Sequence, residues 1–342
     1  MKVARVKTLL RKMSHWESWR GALLRRRVGY IDPERPLRFP VKLQVEATSQ
    51  CNLRCPSCSH AKEKGNGQHL TEEVFCRILD RLPWSPSRVV LCGIGEPLMN
   101  PQFFSLVDIL AERRIRCQFY TNGTLLTPRM QQAILSRRNI DIISISCDGS
   151  DKKTFERLRL GADFDKWKQS VQEFLLQAKQ QRGRTLNIGM NVVVSKQNLH
   201  EMGDILRLAK ALGIGSVYFL EMIPVDEIAI DLCPSVTELS AARQELVELA
   251  ADLGLKVTCF FRQDTVPPKT PPQCLQPWEY MFIRANGDVA PCAALFGSDK
   301  GVVVGNILEQ DFGTIWRGEP YRKFRRGSVS GTNDLCRICP FH

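Results

Sequence analysis

The sequence lacks the features of a membrane-spanning or secreted protein. No apolar run reaches the length of about 18 residues that a spanning helix needs. The start, Met1 to Arg5, leads into no uncharged apolar core before a cleavage site, so we expect no signal peptide and a cytoplasmic protein. Acidic residues are the minority: 36 stand against 48 Lys and Arg, for a net charge of +12. This imbalance favours an anionic partner such as a nucleic acid, a membrane surface or a phosphorylated substrate.

The composition is that of a globular protein with one or two domains. The chain has 342 residues, of which 43% are hydrophobic and 25% are charged. Thirteen residues are cysteines. Because a protein without secretion signals keeps its thiols reduced, clustered cysteines indicate metal ligands or catalytic groups before disulfides.

Residues 1–38 form a distinct basic segment. Up to Arg27 it contains nine Lys or Arg and one acid, which supplies +8 of the net charge. Val6, Leu10 and Trp16 recur at helical spacing, so we predict a basic amphipathic helix. It either lies on an anionic membrane, which would make the protein peripheral at the inner membrane face, or packs on the main domain with a solvated basic face. Because most of the excess charge lies here, we do not expect a nucleic-acid partner.

Residues 39–235 alternate between strand and helix patterns. Apolar or β-branched runs predict six strands, at 41–48, 88–92, 116–121, 140–147, 186–194 and 216–222. Amphipathic stretches predict five helices, at 72–82, 101–113, 128–137, 165–182 and 199–212. Six βα units predict an α/β fold with a parallel sheet, and a closed barrel has about eight. We therefore expect a partial (β/α)6 TIM-like barrel with its chemistry at the carboxyl ends of the strands.

The rhythm changes near residue 236, and we expect a smaller second domain over 236–342. A helix at 236–253 and a short strand at 256–261 precede a proline-rich linker. A hairpin follows at 280–291, turned by Ala285-Asn286-Gly287, because Asn-Gly is a strong hairpin signal.

The first group of clustered cysteines follows the first predicted strand. Cys51, Cys55 and Cys58 form the pattern C-x3-C-x2-C on one loop. Three thiolates leave one position of a metal centre open, as catalytic sites do. The alternatives are an incomplete structural zinc site and three unrelated buried cysteines.

This loop resembles the signature of the radical S-adenosylmethionine (SAM) superfamily, which follows the first strand of a partial (β/α)6 barrel. Gly93-Ile94-Gly95-Glu96-Pro97 is similar to the Gly-Gly-Glu-Pro element of that superfamily. The resemblance implies a [4Fe–4S] cluster on the three cysteines, with SAM on its open iron and the SAM amino group held by Gly95 and Glu96. The sequence departs from the pattern at Ile94, where the first glycine usually stands, and at Ser57, which replaces an aromatic residue.

Further matches extend the implied SAM site. By resemblance, Ser146 and Asp148 lie near the SAM ribose, and Arg159 reaches the SAM carboxylate. The alternative for Arg159 is an ordinary surface arginine. Asn191 and Glu221, polar residues within apolar strands, are candidates to face the cofactor or to satisfy the backbone.

A second group of cysteines lies in the C-terminal domain. Cys274 and Cys292 belong to a C-x12-G-x4-C pattern, and Cys336 and Cys339 form a later C-x2-C pair. The pattern resembles the SPASM/Twitch extension of radical SAM enzymes and implies one fully ligated auxiliary [4Fe–4S] cluster, with a structural zinc ion as the alternative. Among the remaining cysteines, Cys259 is the leading candidate for a catalytic hydrogen donor to the substrate radical.

The resemblance implies an enzyme that cleaves SAM reductively and abstracts a hydrogen atom. We expect an oxidoreductase or epimerase acting on a small polar substrate, sugar-like or a glycolipid, with net dehydrogenation or epimerisation and electrons from a flavodoxin or ferredoxin. A ribosomal-peptide maturase is an alternative, disfavoured because about 40 N-terminal residues are too few for the peptide-binding domain of about 80 that many maturases carry. A non-catalytic iron–sulfur electron carrier or membrane-surface adaptor is a further alternative. The open cluster position disfavours it, because a pure carrier would saturate its cluster with protein ligands.

Overall fold

The computed structural model describes residues 36–58, 67–181, 183, 185–223, 230–262, 274–292, 302–333, 336 and 339. The helix and membrane contact predicted for residues 1–38 lie outside the described residues, apart from the last three positions of that range. None of the described helices combines the length and the hydropathy that crossing a bilayer requires.

Ten strands of the described chain form a single sheet. They are β1 Lys42–Val45, β2 Arg88–Leu91, β3 Arg116–Thr121, β4 Ile140–Ser146, β5 Asn187–Val194, β6 Ser216–Glu221, β7 Lys256–Phe260, β8 Tyr280–Ile283, β9 Asp288–Ala290 and β10 Gly305–Asn306. Their spatial order is β10-β9-β8-β1-β2-β3-β4-β5-β6-β7. Strands β1 to β7 pair in parallel with their sequence neighbours, which confirms the α/β class and the partial TIM-like barrel.

Helices lie between the parallel strands and also follow the last strand of the sheet. Those described are α1 Glu72–Asp80, α2 Phe103–Glu112, α3 Pro128–Ser136, α4 Lys152–Leu158, α5 Phe164–Gln180, α6 Met202–Leu212, α7 Val236–Leu253, α8 Gln276–Glu279, α9 Phe312–Trp316 and α10 Glu319–Ser330. Local signals explain their bounds: the side chains of Thr71, Asp151 and Ser235 accept hydrogen bonds from first-turn N–H groups of α1, α4 and α7. The helices α4, α8, α9 and α10 were not predicted.

Residue alternation gives the sheet two faces. In β3, Cys117 and Phe119 belong to the apolar core, and Phe119 packs edge-on against Phe103 of α2. The intervening Gln118 and Tyr120 therefore point to the other side, the inside of the partial barrel, which we call the lumen face. The lumen face and the carboxyl ends of the strands together define where a substrate meets the chain.

Both edges of the six-stranded barrel continue into residues assigned to the C-terminal domain. Strand β7 pairs in parallel with β6, and β8 pairs in parallel with β1. The hairpin partner β9 is antiparallel to β8, as the Asn-Gly turn predicts. The sheet is therefore continuous across the domain boundary predicted at residue 235, and the domain limits stay a prediction.

Candidate active site

The loop of the first cysteine group lies at the carboxyl end of β1. Cys51, Cys55 and Cys58 are each half-buried, and the Cys58 N–H donates to the Cys55 carbonyl at 3.0 Å, which closes a tight turn. The Cys51 sulfur accepts from the backbone N–H of Leu53 at 3.5 Å. Burial raises the pKa of the Cys55 thiol to about 11, and the thiols of Cys58 and Cys51 add to the rise. The three thiols thus lie within electrostatic reach of one another.

The glycine turn after β2 rests directly on the backbone of this loop. Gly95 and Glu96 donate their N–H groups to the carbonyls of Thr48 and Gln50 at 3.2 and 2.8 Å. A Cβ atom on Gly95 would stand 2.3 Å from the Gln50 oxygen and 2.4 Å from the Thr48 oxygen. Only glycine permits this approach, which explains the residue type without any reference to a ligand.

Glu96 is a buried carboxylate, 2% exposed, held by the loop after β3. It accepts hydrogen bonds from the Thr121 hydroxyl at 2.8 Å, the Asn122 N–H at 2.6 Å and the Leu98 N–H at 3.2 Å. Burial raises the pKa of Glu96 to about 7, against the lowering effect of these donors. The side chain therefore carries a structural role in addition to the SAM contact that we predict for it.

Asp148 and Arg159 form a buried ion pair beside Cys55. Arg159 Nη2 lies 2.7 Å from Asp148 Oδ2, and both side chains are 10% exposed. The other carboxylate oxygen of Asp148 accepts the Val193 N–H at 2.8 Å. The two were predicted to contact separate parts of SAM, and the structure pairs them with each other. Arg159 also keeps a buried Nε–H without a partner in the described chain.

That unpaired Nε–H is the observation that tests whether the site suits SAM. A buried guanidinium N–H costs free energy unless an acceptor meets it, and a carboxylate is its best planar partner. The N–H lies on a side chain whose charge affects Cys55, one of the proposed cluster ligands. The residues present therefore fit an amino acid carboxylate bound next to a cluster.

Ser146 and Asn191 are register neighbours on the lumen face. They pair across β4 and β5, and the Asn191 carbonyl accepts the Cys147 N–H at 2.9 Å. Tyr218 of β6 continues the same row. Both predicted residues are half-buried and lie where a ligand in the lumen can reach them.

Two other candidates point away from the lumen. Cys259 is in register with Phe219, a core residue, and packs against the apolar cluster beneath the helices. The structure therefore does not support Cys259 as the hydrogen donor. Glu221 is also buried, and its carboxylate accepts the backbone N–H of Arg262 at 2.8 Å and pairs with the Arg262 guanidinium. Its observed role is to hold the loop after β7.

Asn122, which was not predicted from the sequence, joins three parts of the site. Its side-chain amide donates to Asn52 Oδ1 at 2.9 Å and lies 3.9 Å from the Cys51 sulfur, and its backbone N–H donates to Glu96. Gly123 follows with a φ of 79°, so the chain turns sharply directly after the strand. A polar Thr-Asn-Gly triplet at the carboxyl end of a barrel strand is the signal that points to this residue.

The auxiliary cysteines come from separate segments of the C-terminal part. Burial raises the pKa of Cys274 to about 12, and Cys339 and Cys336 add to the rise, so these three lie near one another. Cys292 follows β9 and interacts electrostatically with Tyr321. Within the described residues, no three potential ligands converge as they do around a single ion. The cysteines of a cubane each bind a different iron, so their sulfurs stand further apart than the ligands of one ion.

Comparison with known families establishes the class. A family model of the radical SAM superfamily matches residues 45–219, slightly more than half of the 342 residues. A second model, of an iron–sulfur cluster-binding domain called SPASM, matches residues 274–340. The chain therefore belongs to the radical SAM superfamily and carries a C-terminal SPASM domain. It is a radical SAM enzyme that uses SAM and two [4Fe–4S] clusters, which confirms the predicted cofactors.

Several relatives cover most of the chain. A tungsten-containing aldehyde ferredoxin oxidoreductase cofactor-modifying protein of Pyrococcus furiosus is 27% identical over 87% of this chain and 86% of its own. An AdoMet-dependent heme synthase of Methanosarcina barkeri is 26% identical over 88% of this chain and 89% of its own length. PqqA peptide cyclase of Granulibacter bethesdensis is 27% identical over 88% of this chain and 79% of its own length.

The fold is shared with a solved structure. The crystal structure of Streptococcus suis SuiB bound to S-adenosylmethionine superposes with a TM-score of 0.69, at 17% identity, over 88% of this chain and 72% of that one. At this identity the likeness establishes the fold alone.

Proposed function

We propose that the protein is a radical SAM enzyme that modifies a peptide. The observation that carries the SAM chemistry is the convergence of the Cys51–Cys58 loop, the Gly95 turn and the unpaired Nε–H of Arg159 at one end of the barrel. The support for a peptide is the similarity, over most of the chain, to a relative named as a peptide cyclase. The relatives named above lend no support to the sugar-like or glycolipid substrate that we expected from the sequence.

The proposed roles divide between the two halves of the site. Cys51, Cys55 and Cys58 would hold the SAM-binding cluster, which with SAM supplies a hydrogen-abstracting radical. Arg159 would orient SAM through its carboxylate, and Glu96 through its amino group. Ser146, Asp148 and Asn191 would border the ribose, a role that Asp148 combines with fixing Arg159. The auxiliary cluster would be held by Cys274, Cys292, Cys336 and Cys339 and would accept the electron that the peptide radical loses, together with a proton, on its oxidation.

Polar aromatic residues on the lumen face suit a peptide side chain or backbone. Tyr120 is half-buried, and its hydroxyl accepts from the Gln118 amide at 3.1 Å. Desolvation raises the pKa of Tyr120, with Cys92, Tyr280 and Tyr218 adding to the rise. Tyr120 therefore stays neutral at physiological pH and offers a hydrogen bond without charge.

The test is SAM cleavage by the anaerobically reconstituted protein, supplied with a flavodoxin or ferredoxin. Two matched panels are compared, one of ribosomal precursor peptides and one of sugars and glycolipids. We expect a precursor peptide to stimulate 5′-deoxyadenosine formation and to lose two hydrogens in mass. Stimulation confined to the sugar panel would replace the peptide proposal. If neither panel raises the rate of SAM cleavage above that of the protein without substrate, this result would also count against the peptide proposal.

A further inference from the structure

Glu46 is a buried carboxylate that none of the roles above uses. It directly follows β1 and is 4% exposed. Its backbone is anchored, because the Glu46 N–H donates to the Ile283 carbonyl at 2.9 Å. A buried carboxylate is costly unless donors meet it, so its partners reveal what it does.

The two oxygens of Glu46 meet two different turns. Oε1 accepts the backbone N–H of Ile94 at 3.2 Å, and Oε2 accepts the backbone N–H of Ala285 at 3.3 Å. Ile94 lies in the glycine turn that carries Gly95 and Glu96. Ala285 lies in the turn between β8 and β9. One side chain therefore joins a turn of the SAM site to a hairpin of the C-terminal part.

The glycine turn has space shaped for this carboxylate. A Cβ atom on Gly93 would stand 2.4 Å from Glu46 Cγ and 2.5 Å from Glu46 Oε1. The three nearest atoms all belong to the Glu46 side chain. The absence of a side chain at Gly93 therefore makes room for Glu46, and not for a neighbouring backbone segment. The glycine at this position is thus explained by a residue outside its motif.

The hairpin that Glu46 contacts also leads to the auxiliary cysteines. Cys292 follows β9 by two residues, and Cys274 precedes α8, which runs directly into β8. Strand β8 pairs with β1 along its whole length, so the hairpin and the barrel belong to one continuous sheet. The Glu46 carboxylate adds a side-chain link between the barrel and the hairpin at the carboxyl end of β1, where we propose that SAM binds.

We propose that Glu46 is a positioning residue that sets the SAM-binding glycine turn against the auxiliary-cluster hairpin. It acts through the backbone N–H groups of Ile94 and Ala285, and it touches no reacting atom. The inference rests on the SAM chemistry of the superfamily and is independent of the proposed peptide substrate.

The experiment replaces Glu46 with Gln in the full-length holoenzyme. The new amide presents an NH2 group to one of the two backbone N–H donors, so one turn loses its acceptor. We expect SAM affinity to weaken on the order of tenfold. We also expect the SAM-induced change in the electron paramagnetic resonance spectrum of the reduced first cluster to be altered, with iron content unchanged.

Glu201→Gln is the matched control. Glu201 is 6% exposed and accepts the backbone N–H and hydroxyl of Ser150, both at 2.8 Å, so it suffers the same chemical change elsewhere. Gly93→Ala is the second test variant, because its Cβ displaces the Glu46 side chain while the charge is kept. We expect it to weaken SAM binding as Glu46→Gln does, and Glu201→Gln to leave it unchanged. Wild-type SAM affinity and spectrum in both test variants would overturn the proposal, as would an equal loss in Glu201→Gln.

Discussion

Replacing Glu96 with Gln tests the predicted contact between this carboxylate and the SAM amino group. The pKa of Glu96 is raised by burial from its ordinary 4.5 to about 7. This difference corresponds to about 3 kcal/mol of preference for the protonated form in the fold. Because the folded pKa lies above the unfolded one, the free energy of unfolding falls as pH rises from 4.5 to about 7 and stays low above it.

SAM binding should respond to pH in the opposite direction. The SAM ammonium interacts best with an ionised Glu96, so we expect affinity to increase as pH rises from 6 to 7.5, below the pKa of the amino group itself at about 8. Gln carries no charge and should abolish this rise. A charge-assisted hydrogen bond contributes about 1.5–3 kcal/mol, so binding at pH 7.5 should weaken roughly ten- to hundredfold.

The assay is anaerobic equilibrium dialysis of SAM against the reconstituted protein over this pH range. Thr121→Val serves as the control, since it removes one donor to Glu96 and keeps the charge. Its affinity should still rise with pH, with a midpoint at higher pH because the carboxylate has lost a stabilising hydrogen bond. If Glu96→Gln binds SAM with the wild-type affinity and the wild-type pH profile, Glu96 does not face the SAM amino group.

Three other predictions concern the cluster and its surroundings. Replacing the three cysteines of the first loop with Ala should remove about half of the iron and all SAM cleavage, measured by iron assay and 5′-deoxyadenosine; surviving cleavage would contradict the ligand assignment. Arg159→Lys should weaken SAM binding about tenfold because Lys lacks the Nε–H and the planar fork, while Arg157→Lys, two residues earlier in α4, should bind normally. Cys259→Ala should cost about 1 kcal/mol in unfolding free energy and leave turnover intact; loss of product with normal SAM cleavage would restore the thiol as a donor.

The elements and the first-cluster loop could be predicted from the sequence because their signals are local. The C-x3-C-x2-C spacing lies within one loop, and N-caps such as Thr71 and Ser235 act within a single helical turn. Strand β3 was predicted with its observed bounds, and the Asn-Gly turn predicted the β8–β9 hairpin. Each of these features depends on neighbours within a few residues, so no knowledge of the fold is needed to find it.

The partners of the buried charges were decided by the tertiary structure. Nothing near Asp148 in the sequence shows that its carboxylate pairs with Arg159 and also accepts from Val193. The contact between Glu46 and Ala285 joins residues that are 239 positions apart. Such contacts follow only when β8 is placed beside β1, which no local pattern specifies.

Cys259 shows the same division within a single strand. The alternation of β7 determines, from sequence alone, that Thr258 and Cys259 point to opposite sides of the sheet. It does not determine which side is the lumen. That choice is made by the pairing of β7 with β6, which puts Cys259 beside Phe219 and Thr258 beside Tyr218. A side chain's face is a local property, whereas what that face meets depends on the strand and the helix packed against it.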